Sequence, residues 1–222
     1  MLSASIIKVT VSHIDVNHSI SLNNTGYVIK INYDLRLTEN IQKLSQDRVH
    51  EELMHHVGPP GSPITPTALS NLHYLKACIK ESQRLQPLVP QNGRALPIDV
   101  VIKGFRIPAG TQILVEHEYA ATSPKYFDDP LKFRPERWLR TKQQLQQQRR
   151  GGEGSINPFM VLPFGFGSRM CIGRRFADQE LWIGLSKILH NFKVSYDGDK
   201  LPLTLIGVDK HPIKLDFVFE ER

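Results

Sequence analysis

Residues 163–173 read Pro163-Phe164-Gly165-Phe166-Gly167-Ser168-Arg169-Met170-Cys171-Ile172-Gly173. This stretch places one cysteine between a glycine-rich turn and the start of an apolar helical pattern. Glycines permit backbone conformations and close approaches that a Cβ atom would block. The first N–H groups of the following helix have no partner within the helix, and the positive end of its dipole favours a thiolate. The pattern therefore indicates that Cys171 is an anionic ligand rather than a buried apolar side chain.

The number of cysteines limits which metal this sulfur can bind. The only other cysteine, Cys78, lies within a separate helical pattern. Structural zinc sites combine several cysteine and histidine ligands, which a lone cysteine does not supply. Haem iron takes a single axial sulfur. One thiolate at Cys171 therefore favours haem iron, and a disulfide framework is not expected.

Three motifs carry a resemblance to a known family. The pattern Phe164-x-x-Gly167-x-x-x-Cys171-x-Gly173 resembles the haem-binding loop of the cytochrome P450 monooxygenases. Upstream, Glu81-Ser82-Gln83-Arg84 resembles the Glu-x-x-Arg pair of that family, and Pro135-Glu136-Arg137-Trp138 resembles its Pro-Glu-Arg-aromatic segment. The three motifs stand in the order that the family shows, which makes the combination specific.

The Glu81 and Arg84 pair has a physical reading of its own. Residues three apart on a helix share a face, so the two side chains can form an ion pair. On an exposed helix such a pair is worth roughly a few tenths of a kcal/mol. The resemblance implies instead that Glu81, Arg84 and Arg137 form a structural network behind the haem loop, where the loss of one member would leave a buried charge unpaired.

The resemblance also implies a cofactor, haem b, and the residues that bind it. Cys171 would be the proximal iron ligand, and Arg169 and Arg94 would bind the haem propionates, since a guanidinium grips a carboxylate through two hydrogen bonds. The remaining cofactor-binding positions belong to the loop: Phe164, Gly165, Gly167, Ile172 and Gly173. No catalytic residue is assigned, because the acid–alcohol pair on the distal side of the family's haem has no counterpart in this sequence.

The resemblance divides the chain into two parts. Residues 39–222 resemble the C-terminal, haem-binding portion of a P450 domain. Residues 1–38 show no pattern of the family, and beyond short strands the sequence does not define their structure. The sequence therefore predicts a truncated P450 with little or no hydroxylase activity by itself. The alternative is a non-catalytic fragment that binds ferredoxin through its basic face.

The net charge of +6 raises the question of a partner. The basic residues are spread along the chain without any pattern typical of nucleic-acid binding, so we expect no nucleic-acid partner. Lys76, Lys80, Arg174 and Arg175 resemble positions at which mitochondrial P450s dock an acidic iron–sulfur ferredoxin. The sequence around residues 75–84 and 98–102 resembles arthropod sterol or ecdysteroid hydroxylases. These resemblances imply electrons from ferredoxin and a lipophilic, sterol-like substrate that is hydroxylated with O2.

Membrane signals are absent from the sequence. No run of about eighteen apolar residues occurs, so no transmembrane segment is expected. No targeting peptide is visible near Met1. The family resemblance nevertheless implies a mitochondrial protein on the matrix side of the inner membrane. It is also compatible with peripheral association with that membrane.

Hydrophobic periodicity predicts a mainly α fold, of the α+β kind, with small peripheral β-sheets. Helices are expected over residues 39–57, over 71–85 and after the cysteine as far as Phe192. Strands are expected over residues 6–11, 27–31 and 213–219. A hairpin is expected between 100–105 and 112–115 around a turn at residues 108–110.

Overall fold

The structure, a computed structural model, describes residues 6–11, 20–21, 28–29, 43–139, 156–196, 203–206, 209–212 and 215–222. Its α-helices are α1 (Lys43–His56), α2 (Pro66–Asn71), α3 (His73–Leu85), α4 (His117–Ala121) and α5 (Arg174–Asn191). Short 3-10 helices lie at Pro135–Trp138, Pro158–Met160 and Gly167–Arg169.

The strands of the described residues pair in small antiparallel sheets. They are β1 (Ile6–Val11), β2 (Ile20–Ser21), β3 (Val28–Ile29), β4 (Gln91–Ala95), β5 (Val100–Ile102), β6 (Phe105–Ile107), β7 (Gln112–Glu116), β8 (Phe192–Tyr196), β9 (Leu203–Ile206), β10 (Asp209–Pro212) and β11 (Leu215–Glu221). One sheet has three strands in the order β1-β11-β8, and the others are pairs: β2-β3, β4-β7, β5-β6 and β9-β10. The prediction of a mainly α fold with small β-sheets is confirmed.

The core lies where α1, α3 and α5 meet the three-stranded sheet. Each of these elements contributes side chains that are almost fully buried, namely Val49, Leu53, Leu75, Cys78, Ile79, Leu185, Ile188, Leu189, Phe192, Val194, Phe217 and Phe219. Apolar residues three or four apart on a helix form one stripe, so the periodic spacing along α3 and α5 produces these buried faces. The core therefore fixes α3, which carries the Glu81 and Arg84 pair.

The start of α3 differs from the prediction. The helical run expected from residue 71 is broken at Leu72, which separates α2 from α3. Leu72 has no side-chain acceptor for the free N–H groups of the first turn. Glu52 of α1 supplies the acceptors, since its two carboxylate oxygens accept from the N–H groups of Tyr74 at 2.7 Å and Leu75 at 3.0 Å. A carboxylate at this position is also favoured by the helix dipole.

A glutamine on α1 anchors the three-stranded sheet to the helices. The side-chain nitrogen of Gln46 donates to the carbonyl of Val194 at 2.7 Å, and its oxygen accepts from the N–H of Val194 at 3.0 Å. Both groups are buried. The amide thus satisfies a backbone donor and an acceptor on β8 that would otherwise be costly to bury.

The predicted hairpin is wrong in its pairing. Residues of β5 pair with β6, and β7 pairs instead with β4. The reason is the two-residue connection Lys103-Gly104, in which both residues have positive φ, +49° and +85°. Two adjacent residues of this kind match the twist of a tight hairpin, and glycine adopts positive φ without strain. The turn at residues 108–110 therefore joins two different sheets.

The other predicted elements differ from the structure mainly at their ends. The strand at residues 6–11 is confirmed, and β11 confirms the C-terminal strand from Leu215 onward, while residues 213–214 lie outside the described part. Helix α1 ends at His56, one residue before the predicted end at Val57, and residues 39–42 lie outside the described part. Of the strand expected at 27–31, β3 covers residues 28–29. Helix α5 ends at Asn191, one residue before the predicted Phe192, which begins β8.

Strand β1 extends the sheet that packs on the core, although it belongs to residues 1–38. Its register with β11 runs from Ile6 opposite Glu220 to Val11 opposite Leu215. Successive N–H groups along a strand point to opposite sides, so one of two adjacent residues donates to β11. We expect the double variant Lys8→Pro/Val9→Pro to lower the free energy of unfolding by about 1–2 kcal/mol, measured by urea denaturation. An unchanged value would mean that β1 contributes nothing to stability.

Candidate functional site

The carboxylate of Glu81 is the centre of a buried polar network. Its side chain is fully buried, as is that of Arg84. The guanidinium of Arg84 donates from Nε and Nη2 to the two carboxylate oxygens, both at 2.9 Å. Further donors are the backbone N–H of Arg134 at 2.9 Å, Nε of Arg137 at 3.2 Å and the indole N–H of Trp138 at 2.9 Å. The structure thus brings Glu81, Arg84 and Arg137 together.

The remaining donors of Arg84 also have partners. Nη1 donates to the carbonyls of Ala121 and Pro130, each at 2.6 Å, and Nη2 donates to the carbonyl of Lys132 at 3.3 Å. All five guanidinium N–H groups can therefore be satisfied, as a buried arginine requires. The network joins α3 to α4 and to the segment that carries the Pro-Glu-Arg-aromatic motif.

The network keeps the carboxyl of Glu81 ionised. Burial by itself raises the pKa of this group, but the hydrogen bonds from Arg84 and from the N–H of Arg134 outweigh burial, so the pKa lies below its ordinary value. The ion pair is therefore a permanent part of the fold at neutral pH. A buried pair of this kind fixes geometry more than it adds net stability.

The cysteine lies on a loop that is shaped by two glycines. Gly165 and Gly167 have φ of +73° and +76°, which side chains with a Cβ rarely adopt. The N–H of Cys171 donates to the carbonyl of Phe164 at 2.9 Å, which closes the loop. The thiol of Cys171 is exposed. The loop therefore presents the sulfur outward rather than into the core.

The surface around Cys171 is apolar and exposed. Five large apolar side chains of this region are exposed to solvent, namely Phe159, Phe166, Met170, Ile172 and Phe176. The rings of Phe159 and Phe166 pack edge to face, with centroids 4.9 Å apart. An exposed apolar patch of this kind is typical of a binding surface. Ile172, next to the cysteine, is fully exposed in this chain.

Helix α5 begins directly after the loop. Gly173 precedes its first residue, Arg174, and no side chain caps the helix. The guanidinium of Arg174 lies 5.8 Å from the ring centroid of half-buried Phe164. The N–H of Arg174 donates to the carbonyl of Cys171 at 3.4 Å, so the N-terminus of α5, the positive end of its dipole, adjoins the cysteine loop.

The two arginines predicted to bind carboxylates are both exposed. Arg169 ends the 3-10 helix Gly167–Arg169 within the cysteine loop. Arg94 lies on β4, where its Nη1 donates to the carbonyl of Gly93 at 2.7 Å. Each guanidinium therefore keeps donors available for an anionic ligand.

The second cysteine has no comparable setting. Cys78 is fully buried on α3, and burial raises the pKa of its thiol, which disfavours the thiolate that a metal needs. Within the described ranges, no three histidine, cysteine, aspartate or glutamate side chains gather as a metal cluster. Cys171 thus remains the candidate metal ligand in that part of the chain.

The four predicted docking residues differ in their surroundings. The ammonium of Lys76 donates to the carbonyl of Ser70 at 3.0 Å and lies 4.6 Å from the ring centroid of Trp182, and burial lowers the pKa of Lys76. Lys80 and Arg175 are exposed. These two cations are consequently better placed than Lys76 to meet a partner.

The helices α3 and α5 bring some of these cations close together. The Nε atom of Arg174 lies 3.7 Å from a carboxylate oxygen of Asp178. Burial raises the pKa of Asp178, while the charges of Arg174 and Lys80 oppose that rise. Asp178 therefore lies within the field of cations from both helices.

Among the helices of the described residues, none combines the length and apolar character that a bilayer crossing requires.

Sequence reasoning missed a hydrogen bond beside the loop. The amide nitrogen of Asn92 on β4 lies 2.6 Å from Nε2 of His117, the first residue of α4. Only 8% of the His117 surface is exposed. A Cβ atom at Gly165 would lie 3.4 Å from the same Asn92 nitrogen, so the pair borders the cysteine loop. The two residues are 25 positions apart, and no motif in the sequence signals the contact.

The burial of His117 makes its contribution to folding stability depend on pH. Burial and, to a lesser extent, the charge of Arg94 lower the pKa of His117, although Glu116 opposes them. A histidine with a lowered folded pKa stabilises the fold above its unfolded pKa of about 6.5, and that contribution is lost as the pH falls toward the folded pKa. We expect stability to decrease from pH 7 to pH 5, and His117→Gln to flatten the decrease.

Urea denaturation at a series of pH values measures this dependence. His50 also has a pKa lowered by burial, so His50→Gln serves as a parallel variant for its share. A wild-type pH profile that His117→Gln leaves unaltered would contradict the prediction.

Comparison with known proteins decides the family. The sequence model of the family described as Cytochrome P450 matches residues 42–217. The chain belongs to the cytochrome P450 family. Similar proteins of Drosophila melanogaster include probable cytochrome P450 12a5, mitochondrial, which is 39% identical over 82% of this chain, and probable cytochrome P450 301a1, mitochondrial, which is 42% identical over 69%. Probable cytochrome P450 49a1 from the same fly is 40% identical over 73%.

The chain corresponds to only part of these P450s. The matched region covers 34% of cytochrome P450 12a5 and 27% of each of the other two relatives. The chain therefore spans between about a quarter and a third of the length of the P450 relatives it matches.

Membership of the family implies a haem whose iron is bound by a cysteine thiolate. The residues around Cys171 fit such a group. The sulfur is exposed, the two positive-φ glycines keep side chains off the loop, and apolar side chains offer a surface to a flat apolar ring. Arg94 and Arg169 supply cationic donors of the kind that bind carboxylates.

Proposed function

We propose that this chain forms the proximal, haem-binding side of a P450 monooxygenase. The observation that carries the proposal is the exposed Cys171, held outward on a glycine-shaped loop at the start of α5. Cys171 would bind the iron, while Arg94 and Arg169 would bind the propionates. When bound, haem supplies the oxidative chemistry through which P450s insert oxygen from O2 into a substrate.

The protein's own residues would position the cofactor and adjust its ligand. The free N–H groups at the start of α5 would stabilise the negative charge on the Cys171 sulfur. The apolar side chains around the loop would exclude water from the buried face of the ring. The network centred on Glu81 would support the loop indirectly, because Arg84 binds the carbonyl of Ala121 on α4, and α4 contacts the 3-10 helix Pro158–Met160 that precedes the loop.

Haem titration of the purified chain tests this proposal. We expect one haem per chain, with weaker binding in Arg94→Ala and Arg169→Ala, since each removes a donor for a propionate. Lys125→Ala, which removes an exposed cation elsewhere in the chain, is the matched control. Absence of stoichiometric haem binding by the wild-type chain would contradict the proposal.

We also propose a substrate class and a location. The relatives 12a5 and 301a1 carry the word mitochondrial in their names, which supports a mitochondrial location for this chain. A lipophilic, sterol-like substrate is proposed because residues 75–84 and 98–102 resemble arthropod sterol or ecdysteroid hydroxylases. Because hydroxylation also needs a distal side for the haem, we expect the 222-residue chain alone to show little or no hydroxylase activity. Family-like turnover of a sterol would contradict this expectation.

Electron delivery is proposed to come from an acidic ferredoxin that docks on Lys76, Lys80, Arg174 and Arg175. The exposed cations should dominate, because Lys76 is already bonded to Ser70 and packed on Trp182. We expect Lys80→Glu to weaken ferredoxin binding by about tenfold at low salt and less at high salt, since attraction between exposed charges is screened. Calorimetric titration measures the affinity.

A charge reversal outside the proposed surface controls for net charge. Lys125→Glu changes the total charge by the same amount and should leave the affinity for ferredoxin nearly unaltered. Equal effects of Lys80→Glu and Lys125→Glu would mean that the attraction is not localised on α3 and α5. Undiminished binding by Lys80→Glu at low ionic strength would refute the docking proposal.

A further inference from the structure

The contact between Asn92 and His117 lies where β4, α4 and the cysteine loop meet. His117 is held by its own backbone, since its N–H donates to the carbonyl of Pro90 at 2.9 Å. Its ring meets the amide of Asn92 at 2.6 Å. The same amide nitrogen lies against Gly165, where even a Cβ atom would come within 3.4 Å. Asn92 therefore lies between the His117 ring and the cysteine loop.

The strand that carries Asn92 also carries Arg94. Residues two apart on a strand point to the same face of the sheet. Arg94 thus lies on the face of β4 from which Asn92 reaches the cysteine loop. A shift of Asn92 relative to the loop would move Arg94 relative to Cys171 as well.

Helix α4 connects this contact to the buried network. Its first residue is His117, and the carbonyl of its last residue, Ala121, accepts from Nη1 of Arg84 at 2.6 Å. The helix also contacts β4 and the 3-10 helix Pro158–Met160, which precedes the loop. With only five residues, α4 is a short connection between the Glu81 network and the loop.

We propose that Asn92 and His117 are positioning residues that hold β4 and the cysteine loop in the arrangement that haem binding requires. This inference rests on the proposed function of the loop. Neither residue needs to touch the cofactor. They act through Gly165 and Arg94, and α4 transmits to them the rigidity of the Glu81 network.

The ionisation of His117 agrees with this role. Burial and the nearby charge of Arg94 lower its pKa, and Glu116 acts in the opposite direction without reversing the shift. The neutral ring can accept at Nε2 from the amide N–H of Asn92. The hydrogen bond is therefore formed at neutral pH without an added charge beside the loop.

Hydrogen exchange on the haem-free chain tests the positioning directly. In Asn92→Ala and in His117→Ala, we expect exchange to become about fivefold faster at the N–H groups of Gly165 and Cys171, the factor expected from one typical hydrogen bond. His117→Gln retains an acceptor and should restore part of the protection. Asp99→Ala, which loses exposed hydrogen bonds in the neighbouring hairpin, is the matched control and should not alter the loop. Unchanged loop exchange in both alanine variants would overturn the proposal.

Haem affinity provides the second readout. Each alanine variant should bind haem about fivefold more weakly, and the double variant should lose little more, because both changes remove the same hydrogen bond. Fully additive losses would overturn the proposed pairing. If the wild-type chain binds no haem, the proposed function fails, and hydrogen exchange still decides whether the two residues position the loop.

Discussion

Replacing Glu81 by alanine is expected to lower the free energy of unfolding by about 3–5 kcal/mol. The carboxylate accepts from Arg84, Arg137, Trp138 and the backbone of Arg134. Its removal leaves the fully buried guanidinium of Arg84 without a counter-charge. Water cannot easily reach this position to compensate, so most of the cost of burying the charge should appear in the measurement. Urea denaturation followed by circular dichroism gives the value.

The exposed pair between Asp99 and Arg106 provides the matched control. Its hydrogen bond of 2.7 Å is shorter than those between Glu81 and Arg84, yet both side chains are open to solvent. Asp99→Ala should therefore cause little change in stability. Equal losses from Glu81→Ala and Asp99→Ala would contradict the central role of burial.

The contribution of Glu81 to the free energy of unfolding decreases at acidic pH. Its folded pKa is lowered, so its contribution to stability is present above the unfolded pKa, about 4.3, and is lost as the pH falls through the folded value. Glu81→Ala should therefore flatten the loss of stability below about pH 4. A variant with the same acid dependence as the wild type would contradict this assignment.

Replacing Cys171 by alanine is expected to weaken haem binding by at least about a hundredfold, since removal of residues that merely support a metal ligand already costs about 10–100-fold. Alanine keeps the backbone of the loop and removes only the sulfur. Because Cys171 is exposed, the substitution leaves no cavity in the core, and folding should be unaffected. Spectrophotometric titration measures the affinity.

Cys78 is the natural control for this experiment. It is a thiol of the same chain, but it is buried on α3, whereas Cys171 is exposed on the loop. Cys78→Ala should leave haem affinity unchanged, although it should lower stability because it creates a small cavity in the core. Retention of full affinity by Cys171→Ala would exclude this sulfur as the iron ligand.

Sequence reasoning recovered the elements whose signals are local. The apolar spacing along α3 and α5 determined their buried faces, and alternation identified β1 and β11. The hairpin was mispaired because both turns, Lys103-Gly104 and residues 108–110, contain a glycine that can adopt positive φ. Which of the two turns closes a hairpin depends on which strands pair with each other. That pairing involves residues far apart in the sequence, because β7 pairs with β4. The break at Leu72 likewise depends on the carboxylate of Glu52, which belongs to another helix.

The same division applies to the candidate site. The contact between Glu81 and Arg84 follows from their spacing on one helix, and the glycines before Cys171 indicate a tight loop. The donors from Arg134 and Trp138, and the contact between Asn92 and His117, join segments far apart in the sequence. Trp138 belongs to the Pro-Glu-Arg-aromatic motif, but nothing in that motif indicates that its indole donates to Glu81. The local patterns of Arg134, Asn92 and His117 do not distinguish them from ordinary surface residues. Such partners become evident only when the packing of the elements is known.

The difference spectrum of the haem-loaded, reduced chain on addition of carbon monoxide shows whether Cys171 binds the iron. This spectrum reports whether a thiolate lies opposite the gas on the iron. We predict a strongly red-shifted Soret band that is lost in Cys171→Ala and kept in Cys78→Ala. A haem-loaded wild-type chain without that band, or a band that persists in Cys171→Ala, would contradict the claim that Cys171 is the proximal ligand.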